Sequence, residues 1–169
     1  MRSRQQRTKQ LASVAILIAV AFVLSWIEML LSIPMVIPGV KIGLANLAII
    51  FALYYCGTLP AFFVLAGRLL LTSILFGNIT SLIMSISGGV LSFLAMCVCK
   101  KLLKNHLIYV SIFGGIAHNL GQLLAASILL HTSYVRLIPY LLIGGILAGA
   151  FNGFTANLLL RSPAFRSKP

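Results

Sequence analysis

Apolar runs long enough to bridge a bilayer alternate with short polar or proline-broken breaks along almost the whole chain. The runs cover residues 11–32, 42–56, 60–76, 81–99, 107–130 and 139–160. A bilayer-spanning helix needs roughly 20 apolar residues, so the pattern predicts an all-α integral membrane protein with about six transmembrane helices. Pro34, Pro38 and Gly39 deny a helix to the first break, residues 33–41. Gly57 and Pro60 turn the chain before the third run, and residues 77–80 turn it after. The second run is short for a full crossing. The expected organisation is a basic segment at 1–10, a six-helix membrane unit at 11–160 and a basic tail at 161–169.

Charge orients this unit. Basic residues gather in three places: Arg2, Arg4, Arg7 and Lys9; Lys100, Lys101 and Lys104; and Arg161, Arg166 and Lys168. With six spans all three groups fall on one side, which the positive-inside tendency makes the cytoplasm, with both termini there. Reading 42–76 as one long span would move the lysine block to the other side. The basic head followed by an apolar run is also the opening of a signal peptide. The run is too long for that, so it reads as a retained first span of a multi-pass bacterial plasma-membrane protein.

Composition agrees with lipid as the solvent. Hydrophobic residues make up 60% of the chain and charged residues 8%, where a water-soluble domain carries about 25%. Mean hydropathy is +1.09. The net charge of +12 would suit nucleic acid, but its placement between apolar runs suits anionic headgroups instead, so membrane lipid is the expected partner and nucleic acid is not. Cys56, Cys97 and Cys99 lack metal-ligand spacing and read as free thiols.

Glu28 is the only acidic residue. One carboxylate makes neither an acid/base pair nor the aspartate-rich magnesium clamp that handles diphosphates, and no Walker lysine loop is present. A non-catalytic protein without cofactor or metal is expected; His118 and His131, thirteen positions apart, do not make a metal site. What remains is a set of polar residues in or beside the apolar runs: Glu28, Lys41, Asn46, Arg68, His118, Asn119 and Gln122. Such residues are costly in lipid and mark solute sites. Each also has a plainer reading. Glu28 and Arg68 can neutralise each other, Lys41 can snorkel to the interface, and Asn46 can cross-link helices. His118 and Gln122 share a helix face. The set is expected in the outer half of the bilayer, around one hollow that takes a small molecule with an anionic or strongly accepting part.

Small residues form a second pattern. Ala12, Ala15 and Ala19 line the first run, and Gly145, Gly149 and Gly153 recur every fourth residue in the sixth. Both let a second helix approach closely. The glycine row is expected to pack within the chain and the alanines against another subunit.

At these residues the chain resembles the Gx transporter family, whose members carry the label heptaprenyl diphosphate synthase component I. The resemblance rests on Glu28, the proline-rich break, KIGLAN at 41–46, Arg68, the Gly-Gly pairs and GGIAHNLGQ at 114–122, and it covers about 11–160. That family is similar to the substrate-binding S components of energy-coupling factor transporters. The resemblance implies six helices around an outward pocket, with Ala15 and Ala19 as an Ala-xxx-Ala motif that docks on a transmembrane coupling subunit served by ATPase subunits. The substrate it implies is a vitamin-, quinone- or isoprenoid-precursor-like molecule. The second expectation is a non-catalytic membrane partner of a heptaprenyl diphosphate synthase or quinone biosynthesis complex.

Overall fold

The computed structural model describes residues 4–30, 43–76, 79–104 and 106–165. Lys41, the proline-bearing break and the basic residues Arg2, Arg166 and Lys168 lie outside the described residues. The rest is helical: α1 (Arg4–Leu30), α2 (Asn46–Tyr55), α3 (Thr58–Phe76), α4 (Ile79–Leu103), α5 (Leu107–Leu129) and α6 (Ile138–Arg161), with short 3-10 turns at Val135–Leu137 and Pro163–Phe165. Five of these helices are long and apolar enough to cross a membrane. Their outward faces are apolar: Ile74 is 76% exposed, Ile128 72% and Leu147 66%. Water would penalise such a surface and lipid does not. The fold is the expected all-α, multi-span one.

Two boundaries differ from the hydropathy pattern. α1 begins inside the basic head, because glutamine, arginine and lysine are good helix formers that prolong a helix past its apolar part. α2 is only ten residues long, about 15 Å, half a hydrocarbon core. It is a buried central helix rather than a lipid-facing span. Ala48, Ile49, Ile50, Phe51, Ala52 and Leu53 are all buried, and α2 touches all five long helices. Around it α1, α3, α4, α5 and α6 pack in succession. α1 and α6 leave an apolar groove floored by Leu47, Ala48 and Phe51 of α2.

The chain still alternates direction as parity requires. At the far end of α2, Tyr54 donates to the carbonyl of Lys104, and Lys100 donates to the carbonyl of Leu53 with its ammonium 4.8 Å from the Tyr54 ring centre. Phe165, just past α6, packs edge-on against Phe51 and Tyr55. Arg7 and Gln10 of α1 share a groove with Cys56, Gly57 and Thr58. The start of α1, the α2–α3 turn, the lysine block and the end of α6 therefore meet at one basic end of the bundle.

Helix pairs approach closely where side chains are missing. A methyl group on Gly149 would sit 2.6 Å from the Ile112 Cα, and one on Gly153 2.8 Å from the Ser111 Cβ. Gly114 leaves room for Met96 in the same way. The α6 glycine row thus packs inside the chain, against α5, where dispersion and backbone proximity replace the hydrophobic drive that lipid cannot supply.

Candidate functional site

The buried face of α1 repeats at Ala21, Ser25 and Glu28, spacings of four and three that put all three on one stripe. Glu28 is 5% exposed and turned toward the start of α2. There its Oε1 accepts the backbone N–H of Gly43 and, at 3.4 Å, that of Leu44. Gly43 has φ +91°, a conformation that side chains oppose. Its carbonyl accepts the Asn46 N–H and the Asn152 Nδ2 of α6, both at 3.0 Å. One glycine therefore joins α1, α2 and α6. The carboxylate also sits at the N-terminal side of α2, where the helix dipole favours negative charge.

The absent side chain of Gly43 makes room for two polar ones. A methyl group there would lie 3.1 Å from Asn46 Nδ2 and 3.2 Å from His118 Cδ2. His118, on α5, is 2% exposed. Its ring has Gly88 of α4 on another side: a methyl group on Gly88 would be 3.0 Å from His118 Nδ1 and 2.8 Å from Gln122 Cγ. The next residue, Gly89, faces Arg68 of α3 in the same manner, 3.2 Å from Nη2. Arg68 is 4% exposed; its Nη1 reaches Ser25 Oγ at 3.5 Å, one turn from Glu28, whose charge acts on it. Glu28, Asn46, Arg68, His118 and Gln122 are thus gathered by two glycine positions, Gly43 and the Gly88–Gly89 pair.

The cluster contains underbonded polar atoms. Arg68 Nε and Nη2, Asn46 Oδ1 and Asn152 Oδ1 have no hydrogen-bond partner among the described residues. Buried donors and acceptors are nearly always paired, because an unpaired one costs about 1–3 kcal/mol and a charged one more. Atoms of this kind are what a solute would satisfy.

Asn46, Arg68, His118 and Asn152 each lie nine to eleven residues from the basic end of their helices, about 14–16 Å. That is about half the length of a bilayer-spanning helix. α2 reaches only half way.

Asn119 stands apart. Its Nδ2 donates to the Leu141 carbonyl at 2.8 Å, so it cross-links α5 to α6. Ala12, Ala15 and Ala19 are all exposed, on the outer face of α1, unpacked by the described chain. Asn152 and Ser25 join the site although the sequence reading passed over them. An asparagine inside the 139–160 apolar run carried the same signal that singled out His118. Among the described residues no three His, Cys, Asp or Glu side chains stand together as metal ligands.

No curated protein and no solved structure matches the chain. The family model described as heptaprenyl diphosphate synthase component I matches residues 17–159. That span takes in α2 to α5 whole, nearly all of α6, and Glu28, Gly43, Asn46, Arg68, His118 and Asn152. The chain belongs to the heptaprenyl diphosphate synthase component I family.

Proposed function

We propose that this chain is the solute-capturing membrane subunit of an uptake transporter in the bacterial plasma membrane. The observation that carries the reading is the buried polar cluster around Gly43, Gly88 and Gly89, built from all six helices and holding donors and acceptors underbonded among the described residues. A purely structural core in lipid has no use for a buried guanidinium with two nitrogens that lack a partner among the described residues. Glu28, Asn46, Arg68, His118, Gln122 and Asn152 provide the polar contacts, and the apolar walls of α2 and α4 the remainder.

Energy comes from elsewhere. The only carboxylate is committed to backbone N–H groups, which leaves no acid/base pair for catalysis or for nucleotide hydrolysis. The outward alanine face of α1 lets a transmembrane coupling subunit approach closely, and ATPase subunits then drive reorientation of the site.

The family description supports a second reading, a non-catalytic membrane partner of a prenyl diphosphate synthase. Affinity capture of the tagged chain from native membranes separates the two. Recovery of a transmembrane subunit with ATPases supports transport, and Ala15→Leu with Ala19→Leu then loses them. Recovery of a soluble synthase subunit in their place, indifferent to those substitutions, supports the second reading and overturns the first.

A further inference from the structure

We infer that the solute is a carboxylate monoanion that also carries a hydrogen-bond donor, and that its carboxylate lies on the Nε–Nη2 edge of Arg68. The inference rests on the capture reading and adds the chemistry of what is captured.

The unpaired nitrogens of Arg68 are a particular pair. Nη1 is turned to Ser25, which leaves Nε and Nη2 without a partner among the described residues. These two N–H groups point in parallel from one edge of the guanidinium plane and match the two oxygens of a carboxylate. Gly89 of α4 faces this edge, and because it carries no side chain only its backbone approaches: a methyl group there would lie 3.2 Å from Nη2. With Arg68 only 4% exposed, a paired anion there is shielded from water and gains accordingly.

Charge limits the headgroup. The buried charged residues among those described are Glu28 and Arg68, one of each sign. Glu28 accepts two backbone N–H groups at the N-terminal side of α2 and its charge also acts on Arg68, so these two buried residues together offset at most one unit of added negative charge. A monoanion uses that unit. A phosphate dianion or a diphosphate brings further negative charge to mid-depth beside Glu28, where uncompensated charge is most expensive. The family's printed name mentions a diphosphate, and this cluster is poorly built to hold one.

The donor follows from the asparagines. Asn152 spends its Nδ2 on the Gly43 carbonyl, which fixes its Oδ1 as the free end. Asn46 Oδ1 is also unpaired among the described residues. Both accept only, so the solute presents an O–H or N–H to them.

Three probes differing only in headgroup test this on the full chain in lipid nanodiscs: 4-hydroxybenzoate, 4-hydroxyphenyl phosphate and 4-hydroxybenzyl alcohol. Binding is read as thermal stabilisation and by equilibrium dialysis. The carboxylate is expected to bind at least tenfold more tightly than either of the others. Arg68→Lys keeps the charge and loses the fork, and is expected to weaken the carboxylate at least tenfold; size-exclusion behaviour confirms that the variant is folded. Thr8→Ala, at the exposed start of α1 and away from the cluster, is expected to change affinity less than threefold. Tightest binding of the phosphate or the alcohol overturns the carboxylate assignment and leaves solute capture standing. Equal affinity of wild type and Arg68→Lys for the carboxylate does the same. No binding of any probe overturns both.

Discussion

Replacing Gly43 by alanine tests the hub of the site, and Gly57 supplies its own control. Both glycines have positive φ, +91° and +106°. A side chain in that region costs about 1–2 kcal/mol at either position. Their surroundings differ. At Gly57 an added methyl group meets nothing within 4 Å. At Gly43 it meets Asn46 Nδ2 at 3.1 Å and His118 Cδ2 at 3.2 Å, both on buried side chains with little freedom to retreat. Overpacking of this kind adds about 1–3 kcal/mol. Gly57→Ala should therefore cost about 1–2 kcal/mol and Gly43→Ala about 2–5 kcal/mol. For a chain of this size the difference corresponds to a further fall in Tm of roughly 2–12 °C. The assay is thermal unfolding of both variants in the same detergent, followed by tryptophan fluorescence from Trp26. Equal Tm losses would show that the space beside Gly43 is not filled by the asparagine and histidine, and the hub would be lost with it.

Other consequences are as direct. Asn152→Ala removes the Nδ2 bond to the Gly43 carbonyl and is expected to cost about 0.5–1.5 kcal/mol, read in the same unfolding assay. Gly149→Val should be far worse, because the new atoms meet the Ile112 backbone of α5 rather than a movable side chain; a yield of folded monomer below a tenth of wild type is expected by size exclusion. Glu28→Gln keeps an acceptor for the Gly43 and Leu44 N–H groups and removes the charge that acts on Arg68. It should fold and bind the carboxylate probe more tightly than wild type. In a cysteine-free background, single cysteines at Ser162 and at Thr132 should react with a membrane-impermeant thiol reagent from opposite sides of the membrane, since α6 joins the two ends of the bundle.

Much of this molecule was legible in the residue pattern, and the failures are instructive. Hydropathy found every long helix, and the three basic groups found the shared end of the bundle. The glycine row of α6 was rightly assigned to internal packing. α2 misled because apolar composition records burial, not length. A helix buried in protein is as hydrophobic as one wrapped by lipid. What stops α2 at Asn46 is the Gly43 turn, and that turn depends on Glu28 and Asn152, which lie 15 and 109 positions away. Glu28, Asn46, Arg68, His118 and Gln122 were named because polar residues are rare in such runs. Asn152 obeys the same rule and went unnamed, and Asn119, which was named, places its Nδ2 on the α5–α6 contact. The roles of Gly88 and Gly89 needed coordinates, because a missing side chain matters only once its neighbours are known.

Native mass spectrometry of the purified full chain, beside Arg68→Gln, puts the most direct question to the central claim that the mid-depth polar cluster holds a solute. If it does, wild type carries a single small-molecule adduct, up to one per chain, and the folded variant loses it. Absence of any adduct from wild type, or the same adduct on both proteins in equal amount, would mean that Arg68 and its neighbours serve the scaffold alone.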